Sequence, residues 1–246
     1  MMKFSKIAIA TVAALTLAAC GDDDDDSTAS ITPETEVVVD TETVAEDEDS
    51  VEYEVKLINL TSGQPISPPA LLLHDDGELW SVGTSASDAL ELVAESGDSS
   101  EVVASEFVLS HASAEGGIVY GTSTTVTVTH TEAVNYLSFA SMLGNTNDAF
   151  TGLNKVDISE LAINDSVTYN TIAYDAGTEA NTETAETVPG PAGNGEAFNS
   201  ERDDVVDVVT MHPGLVTSDD GLSTSTLTYQ QKFDNPVMSV VIKRIQ

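Results

Sequence analysis

Period-2 alternation of apolar and polar residues, repeated in short segments over residues 51–246, is the feature that most limits how this chain can fold. It is clear in Tyr53–Leu57 and again in Thr124–His130, where every second side chain falls on one face. Val134–Leu143 is a longer apolar stretch, suited to a buried strand. Each half-buried strand leaves an apolar face that needs a second sheet to cover it. The pattern therefore predicts two packed sheets.

Two further regions extend this prediction toward the C-terminus. Val167–Tyr174 alternates in the same way, which indicates one more strand. Ser225–Phe233 and Val237–Ile245 flank the turn signal Asp234-Asn235-Pro236, so these two segments are predicted to form a hairpin.

Helical spacing is confined to one region, residues 85–97. Leu90, Val93 and Ala94 share a face there, a serine can serve as N-cap, and Gly97 can end the helix. A second helical turn is predicted near residues 99–106. The predicted fold class is therefore all-β, an antiparallel β-sandwich with one or two short helical insertions.

The first twenty residues have the order of an export signal. Lys3 and Lys6 precede the apolar run Ile7–Leu17, which is too short for a permanent membrane helix and suits a cleaved signal peptide. The run ends in Leu17-Ala18-Ala19-Cys20, which resembles the lipobox of bacterial lipoproteins. Residues 1–19 are therefore predicted to be removed and Cys20 to be lipidated. An ordinary signal peptide followed by a chance cysteine is the alternative interpretation.

Two features of Cys20 and its surroundings bear on the location of the protein. Cys20 is the only cysteine, so the fold has no intrachain disulfide. Gly21 follows it, whereas an aspartate there would resemble the inner-membrane retention signal of Gram-negative bacteria. We therefore expect an exported lipoprotein held to the membrane by its lipid, with the outer membrane favoured.

Charge narrows the range of partners. The chain has 42 acidic and 8 basic residues, and loss of Lys3 and Lys6 with the signal peptide would change the net charge from −34 to 6 − 42 = −36. Such a surface repels nucleic acid and anionic headgroups and attracts cations. Residues 21–50 hold 13 of the acids and no base, so residues 20–50 are predicted to be a disordered tether that carries the folded domain 51–246.

The segment from Asp175 to Gly190 is a candidate cation-binding loop. It contains four acids and follows a predicted strand, and calcium takes six to eight oxygen ligands on flexible loops. The spacing is not that of an EF-hand, because Gly177 stands at loop position three and Ala180 at position six. If the predicted strand 134–143 runs in the same direction as 167–174, Asp148 and Asp175 lie at the same end and could share one cation.

These residues also carry a resemblance to a known family. Ser141–Gly152, Tyr174–Glu179 followed by Ala185–Pro189, and the opening Asn59–Pro65 are similar to the signatures of the spondin N-terminal domain family. The resemblance implies a C2-like β-sandwich with one calcium ion in loops at one end, held by Asp148, Asp175 and Glu179. Glu179 departs from the aspartate that is usual in animal members. It also implies a role in adhesion or in binding an extracellular protein or glycan.

The sequence offers little support for an enzyme. His74, His111, His130 and His212 do not pair at metal-ligand spacing, and His74-Asp75-Asp76-Gly77 has the composition of a turn. We find no nucleophile elbow or phosphate-binding glycine loop. Two interpretations stay open, a calcium-dependent binding module and a structural envelope lipoprotein whose calcium only stabilises the fold. A hydrolase is a weaker third.

Overall fold

A computed structural model describes residues 50–202 and 204–246, which belong to one compact unit. The predicted signal peptide, the predicted lipidation site Cys20 and nearly all of the predicted tether lie outside these residues. Within the described ranges, no helix is long and apolar enough to cross a membrane.

The described chain is built mainly from β-strands, and all strand pairs are antiparallel. Two short α-helices interrupt them, which confirms the predicted all-β sandwich class with one or two helical insertions. In chain order the elements are β1 (Val51–Asn59), β2 (Ala70–His74), α1 (Asp88–Ser96), α2 (Ser100–Val103), β3 (Val108–Ser113), β4 (Ser123–His130), β5 (Tyr136–Met142), β6 (Ala149–Asp157), β7 (Ser166–Thr171), β8 (Ala173–Asp175), β9 (Thr210–Met211) and β10 (Met238–Arg244).

A four-stranded sheet in the order β4-β1-β10-β7 forms one layer. The alternation seen in the sequence decides which face of this sheet is turned toward the interior. The inward-pointing side chains of β1 are all buried, namely Val51, Tyr53, Val55 and Leu57. β1 lies between β4 and β10 and begins beside the C-terminus, where the Gln246 side-chain amide donates to Ser50 Oγ at 2.6 Å.

The second layer is a six-stranded sheet in the order β3-β2-β5-β6-β8-β9. One face packs against the four-stranded sheet through residues such as Leu73 and Phe139. The other face is covered by α1, with Leu72 and Phe150 packed against Leu90 and its neighbours. Because both faces are covered, every residue of β2 is buried, and the strand lacks an alternating pattern.

Helix α1 confirms the prediction made for residues 85–97. The Ser87 side chain accepts a hydrogen bond from the Leu90 N–H at 3.3 Å, and Gly97 ends the helix in the left-handed conformation. Its apolar face is fully buried against the six-stranded sheet. Helix α2 occupies the second region predicted to be helical.

Two sequence predictions differ from the structure. The segment 167–174 is not one strand, because the chain passes between the sheets at Ile172, leaving β7 in one and β8 in the other. The predicted hairpin of 225–233 with 237–245 is wrong, since β10 pairs with β1 and β7 instead. Residues 229–231 form a 3-10 turn, in which the side chains of Thr228 and Gln231 cap each other's backbone N–H groups.

Candidate metal centre at the loop end of the sandwich

Asp148 and Asp175 lie side by side where β6 begins and β8 ends. β6 pairs with both β5 and β8, so β5 and β8 run in the same direction with β6 between them. Ala149 pairs directly with Asp175, which places Asp148 next to it. The expectation that the loops after these two strands share one end of the sandwich is confirmed. We call this region the loop end.

Asp148 is fully buried, and only one of its two carboxylate oxygens has a hydrogen-bond partner among the described residues. Its Oδ2 accepts hydrogen bonds from the backbone N–H groups of Thr178 at 2.8 Å and Glu179 at 3.0 Å. Its Oδ1 is buried and has no hydrogen-bond partner among the described residues. Burial, followed by the like charge of Asp175, raises the pKa of Asp148 to about 6. The folded protein thus holds an uncompensated oxygen at this position.

Asp175 is 8% exposed and organises the loop that follows β8. Its Oδ1 accepts from the Gly177 N–H at 2.9 Å and its Oδ2 from the Asn181 side-chain amide at 2.7 Å. Gly177 has φ of +79°, and a Cβ at this position would lie 2.6 Å from the Val208 carbonyl oxygen. The turn therefore requires glycine, and it fixes the Asp175 carboxylate beside Asp148.

Glu179 lies in the same region, but its carboxylate has another partner. Its Oε2 accepts from the Asn147 side-chain amide at 3.2 Å, and its Oε1 lies 2.5 Å from Arg202 Nη2 in an ion pair. Burial raises the pKa of Glu179 to about 7, with the Arg202 charge acting in the opposite direction. The backbone N–H of Glu179 serves Asp148, while its side chain turns toward Arg202.

Arg202 and Glu95 belong to this region and were missed by sequence reasoning. The Arg202 guanidinium forms ion pairs with Glu95, Glu179 and Glu196. The Glu95 side chain is fully buried at the end of α1, and burial raises its pKa while Arg202 opposes the rise. The available signal was the rarity of positive charge, since Arg202 is one of six basic residues after Lys6.

His212 lies close to Asp175 but is a poor metal ligand in this arrangement. Its Nδ1 accepts a hydrogen bond from the Gly214 N–H at 3.0 Å, which places the ring proton on Nε2. Burial lowers its pKa and the Asp175 charge opposes that shift. His74 is equally structural, since its ring contacts the Asp76 carbonyl at 2.6 Å and Ser138 Oγ at 2.8 Å within the six-stranded sheet.

The donor set fits a calcium ion in part. Asp148 Oδ1 is a buried oxygen without a partner, and Asp175 supplies a second carboxylate of the hard type that calcium prefers. Glu179 could join them only if its carboxylate left Arg202. Among the described residues, no group of three or more His, Cys, Asp or Glu side chains is arranged to hold a metal ion. The two aspartates are thus the residues that would hold it, and the remaining ligands would be backbone oxygens and water.

Comparison with known proteins gives a match to a family model. Residues 73–192 match the family model described as Spondin_N. The matched segment runs from β2 through the loop after β8 and includes Asp148, Asp175 and Glu179. No curated protein matches the chain.

Proposed function

We propose that this chain is a calcium-binding module that binds an extracellular protein or glycan. Residues 73–192 place the chain in the spondin N-terminal domain family, and membership of this family supports an extracellular or secreted module. One calcium ion would lie at the loop end, on Asp148 and Asp175. The all-β domain of this family indicates a non-catalytic role.

The unpartnered Oδ1 of Asp148 is the observation that carries this proposal. A buried carboxylate oxygen without a partner is costly, and a second carboxylate next to it adds repulsion. A divalent cation removes both costs, because it supplies a partner to the oxygen and neutralises the two charges. Hydrogen bonds from Thr178 and Glu179 already orient the other oxygen of Asp148, so the residue is positioned before any ion binds.

Glu179 would be a third calcium ligand, and its carboxylate would move from the Arg202 guanidinium to the calcium ion. In the described arrangement it is paired with Arg202. A calcium ion on the aspartates would attract the same carboxylate and compete with the guanidinium for it. This exchange would tie the loop carrying Arg202 to the state of the site.

We further propose that the domain is anchored through a lipid on Cys20, at the outer membrane. The lipobox-like Leu17-Ala18-Ala19-Cys20 and the acidic segment behind it support this part of the proposal. A single lipid chain gives only weak membrane attachment, whereas the several chains of a mature bacterial lipoprotein give a stable one. The ligand-binding domain would be presented beyond the tether.

A structural role for the calcium is the alternative, and one observation favours it. Asp148 is fully buried, so an ion bound to it would have few coordination positions open to an external ligand. In that case calcium would stabilise the loops, and ligand binding would take place elsewhere on the domain.

Thermal unfolding of the chain beginning at residue 20, with Cys20→Ser, tests the metal site. At a calcium concentration 100 times its dissociation constant, the ion adds about 2.7 kcal/mol, so the midpoint should rise by about 5 to 10 °C relative to excess chelator. Asp175→Asn should abolish the response. Asp157→Asn, at the opposite end of β6, is the matched control and should respond like the unaltered chain. A midpoint that neither calcium nor magnesium changes would disprove the metal site.

A further inference from the structure

A groove on the domain lies beside the loop end and contains none of the proposed metal ligands. It has a volume of about 680 Å³, and five separate parts of the chain meet around it, near residues 62–65, 119–120, 145, 191–192 and 229–231. This volume is in the range of pockets that bind small ligands, about 300 to 1,000 Å³.

The lining of this groove carries no net charge. The chain has 42 acidic residues, yet the groove is lined without any Asp, Glu, Lys, Arg or His. An anionic ligand would be repelled by the surrounding protein, and a cationic ligand would find no counter-charge inside. The groove therefore suits a neutral ligand.

Two tyrosines project into solvent at the groove. Tyr120 is 50% exposed and Tyr229 is 68% exposed, which leaves much of each ring uncovered. An exposed tyrosine presents an apolar ring face and a hydroxyl group that donates and accepts. Gln230, which follows Tyr229 in the chain and also lines the groove, adds a side-chain amide with both donors and an acceptor.

The floor of the groove is held rigid by two buried amides. The Asn145 side chain donates to the Gly63 carbonyl and accepts from the Ala192 N–H, both at 2.9 Å. Gln64 donates to the Gln231 carbonyl at 2.8 Å and accepts from the Asn145 N–H at 2.9 Å. These bonds join the segments around residues 63–64, 145, 192 and 231, so this part of the groove is formed before a ligand arrives, and ordering it on binding costs little free energy.

From these features we propose that the groove binds a neutral oligosaccharide, with Tyr120 and Tyr229 as stacking platforms. A sugar ring has an apolar C–H face for the tyrosines and hydroxyl groups that both donate and accept, which matches the amide and hydroxyl groups of the lining. A proline-rich peptide would also suit an aromatic groove, but it offers mainly carbonyl acceptors and leaves the acceptors of the groove unpaired. The inference deepens the proposed function and rests on its ligand-binding role.

Calorimetric titration of the chain beginning at residue 20, with Cys20→Ser, tests this inference. The probes are cellohexaose, maltohexaose and hexa-N-acetylchitohexaose, which are neutral, with hexagalacturonate and a proline-rich decapeptide for comparison. At least one neutral hexasaccharide should bind with a Kd of about 1 mM or tighter. Tyr120→Ala and Tyr229→Ala should each weaken that binding about tenfold.

Two further variants separate stacking from a general loss of structure. Tyr229→Phe keeps the ring and should keep most of the affinity. Met211→Ala removes an exposed apolar side chain of β9, outside the groove, and should leave the affinity unchanged. Because the three substituted positions are exposed, all variants should keep the unfolding midpoint of the parent chain to within about 2 °C.

Three results would overturn the inference. They are no binding of any neutral hexasaccharide up to about 5 mM, binding that survives both alanine substitutions, and tighter binding of the peptide at the tyrosines. Titration in chelator and in calcium keeps the two proposals distinguishable. Sugar binding that persists in chelator, together with a midpoint insensitive to calcium, would retain the groove and reject the metal site.

Discussion

Within the part of the chain that the structure describes, no buried side-chain polar atom of the four-stranded sheet lacks a hydrogen bond. The loop end holds two carboxylate oxygens without one, Asp148 Oδ1 and Oε2 of Glu183, a buried residue in the loop after β8. The sheet interior is apolar and regular, with β1 and β10 paired over seven residues. The loop end instead concentrates buried carboxylates around Asp148, Asp175 and Glu179. The difference indicates that packing in the sheet stabilises the fold, and that this stabilisation offsets the cost of the buried carboxylates at the loop end.

Truncation in the sheet should have the largest effect on the free energy of unfolding. Ile242 of β10 is fully buried, and Ile242→Ala should cost about 3 kcal/mol, measured by urea unfolding. Val241→Ala on the same strand is the control, because that side chain faces outward and is only half-buried, and it should cost about 1 kcal/mol or less. Calcium should add the same increment to both variants, since distant sites act independently. Unequal increments would mean that the two regions are coupled.

Removal of the positive charge at the loop end should have the next largest effect. Arg202→Met leaves the buried Glu95 without its counter-ion and should lower the free energy of unfolding by about 2 kcal/mol in chelator. Adding Glu95→Gln should recover part of this loss, because it removes the unpaired charge. Arg202→Met also removes the ion-pair partner of Glu179. Calcium should therefore raise the unfolding midpoint of Arg202→Met by more than it raises that of the parent chain. An equal or smaller rise would show that Glu179 does not contact the ion.

The smallest effect is expected at Glu91, a half-buried residue in the first turn of α1. Burial, then the charges of Glu95, Asp204 and Asp88, raise its pKa to about 7, while Arg202 lowers it. The folded protein keeps this proton between pH 4.5 and about 7, where the unfolded chain releases it. Stability from this group therefore falls as the pH rises through that window.

Glu91→Gln removes this dependence. Its unfolding midpoint should equal that of the parent chain near pH 4.5 and exceed it by about 2 °C above pH 7, measured by thermal unfolding in chelator. A difference that is constant with pH would show that neither burial nor the acids around α1 raise the pKa of Glu91. The contrast between the loop end and the sheet would then be weaker than described.

Local patterns in the sequence predicted the elements whose causes are local. Ser87 and Gly97 bound α1 because each satisfies the backbone at one end of the helix, and this signal needs no knowledge of the rest of the fold. Alternation alone misled the prediction at 225–233. The Thr228-x-x-Gln231 spacing of a capping box stands inside that segment, and the box formed a 3-10 turn where the alternation indicated a strand.

Long-range features of the site were accessible only in part. Asp148 and Asp175 could be placed together because each follows a strand and the strands run the same way. The pairing of Arg202 with Glu95 joins residues 107 apart in the chain, and no spacing rule connects an irregular loop to the end of a helix. The division of 167–174 at Ile172 was equally hidden, because both halves keep the alternation while they change sheets.

The position of β1 has a mechanical consequence. The strand starts at Val51 beside the C-terminus and ends at Asn59, whose side chain donates to the Gln64 and Ile118 carbonyls next to the groove. For a domain tethered through the residues before Ser50 and holding a ligand at the groove, tension would run along the length of β1. β4 and β10 flank β1 with antiparallel ladders, and their hydrogen bonds are perpendicular to the direction of the tension. The tension would therefore act on many hydrogen bonds at the same time and could not break them one after another. If the domain is tethered to a membrane and binds a ligand as proposed, the orientation of β1 would let the sandwich resist a pulling force between the two.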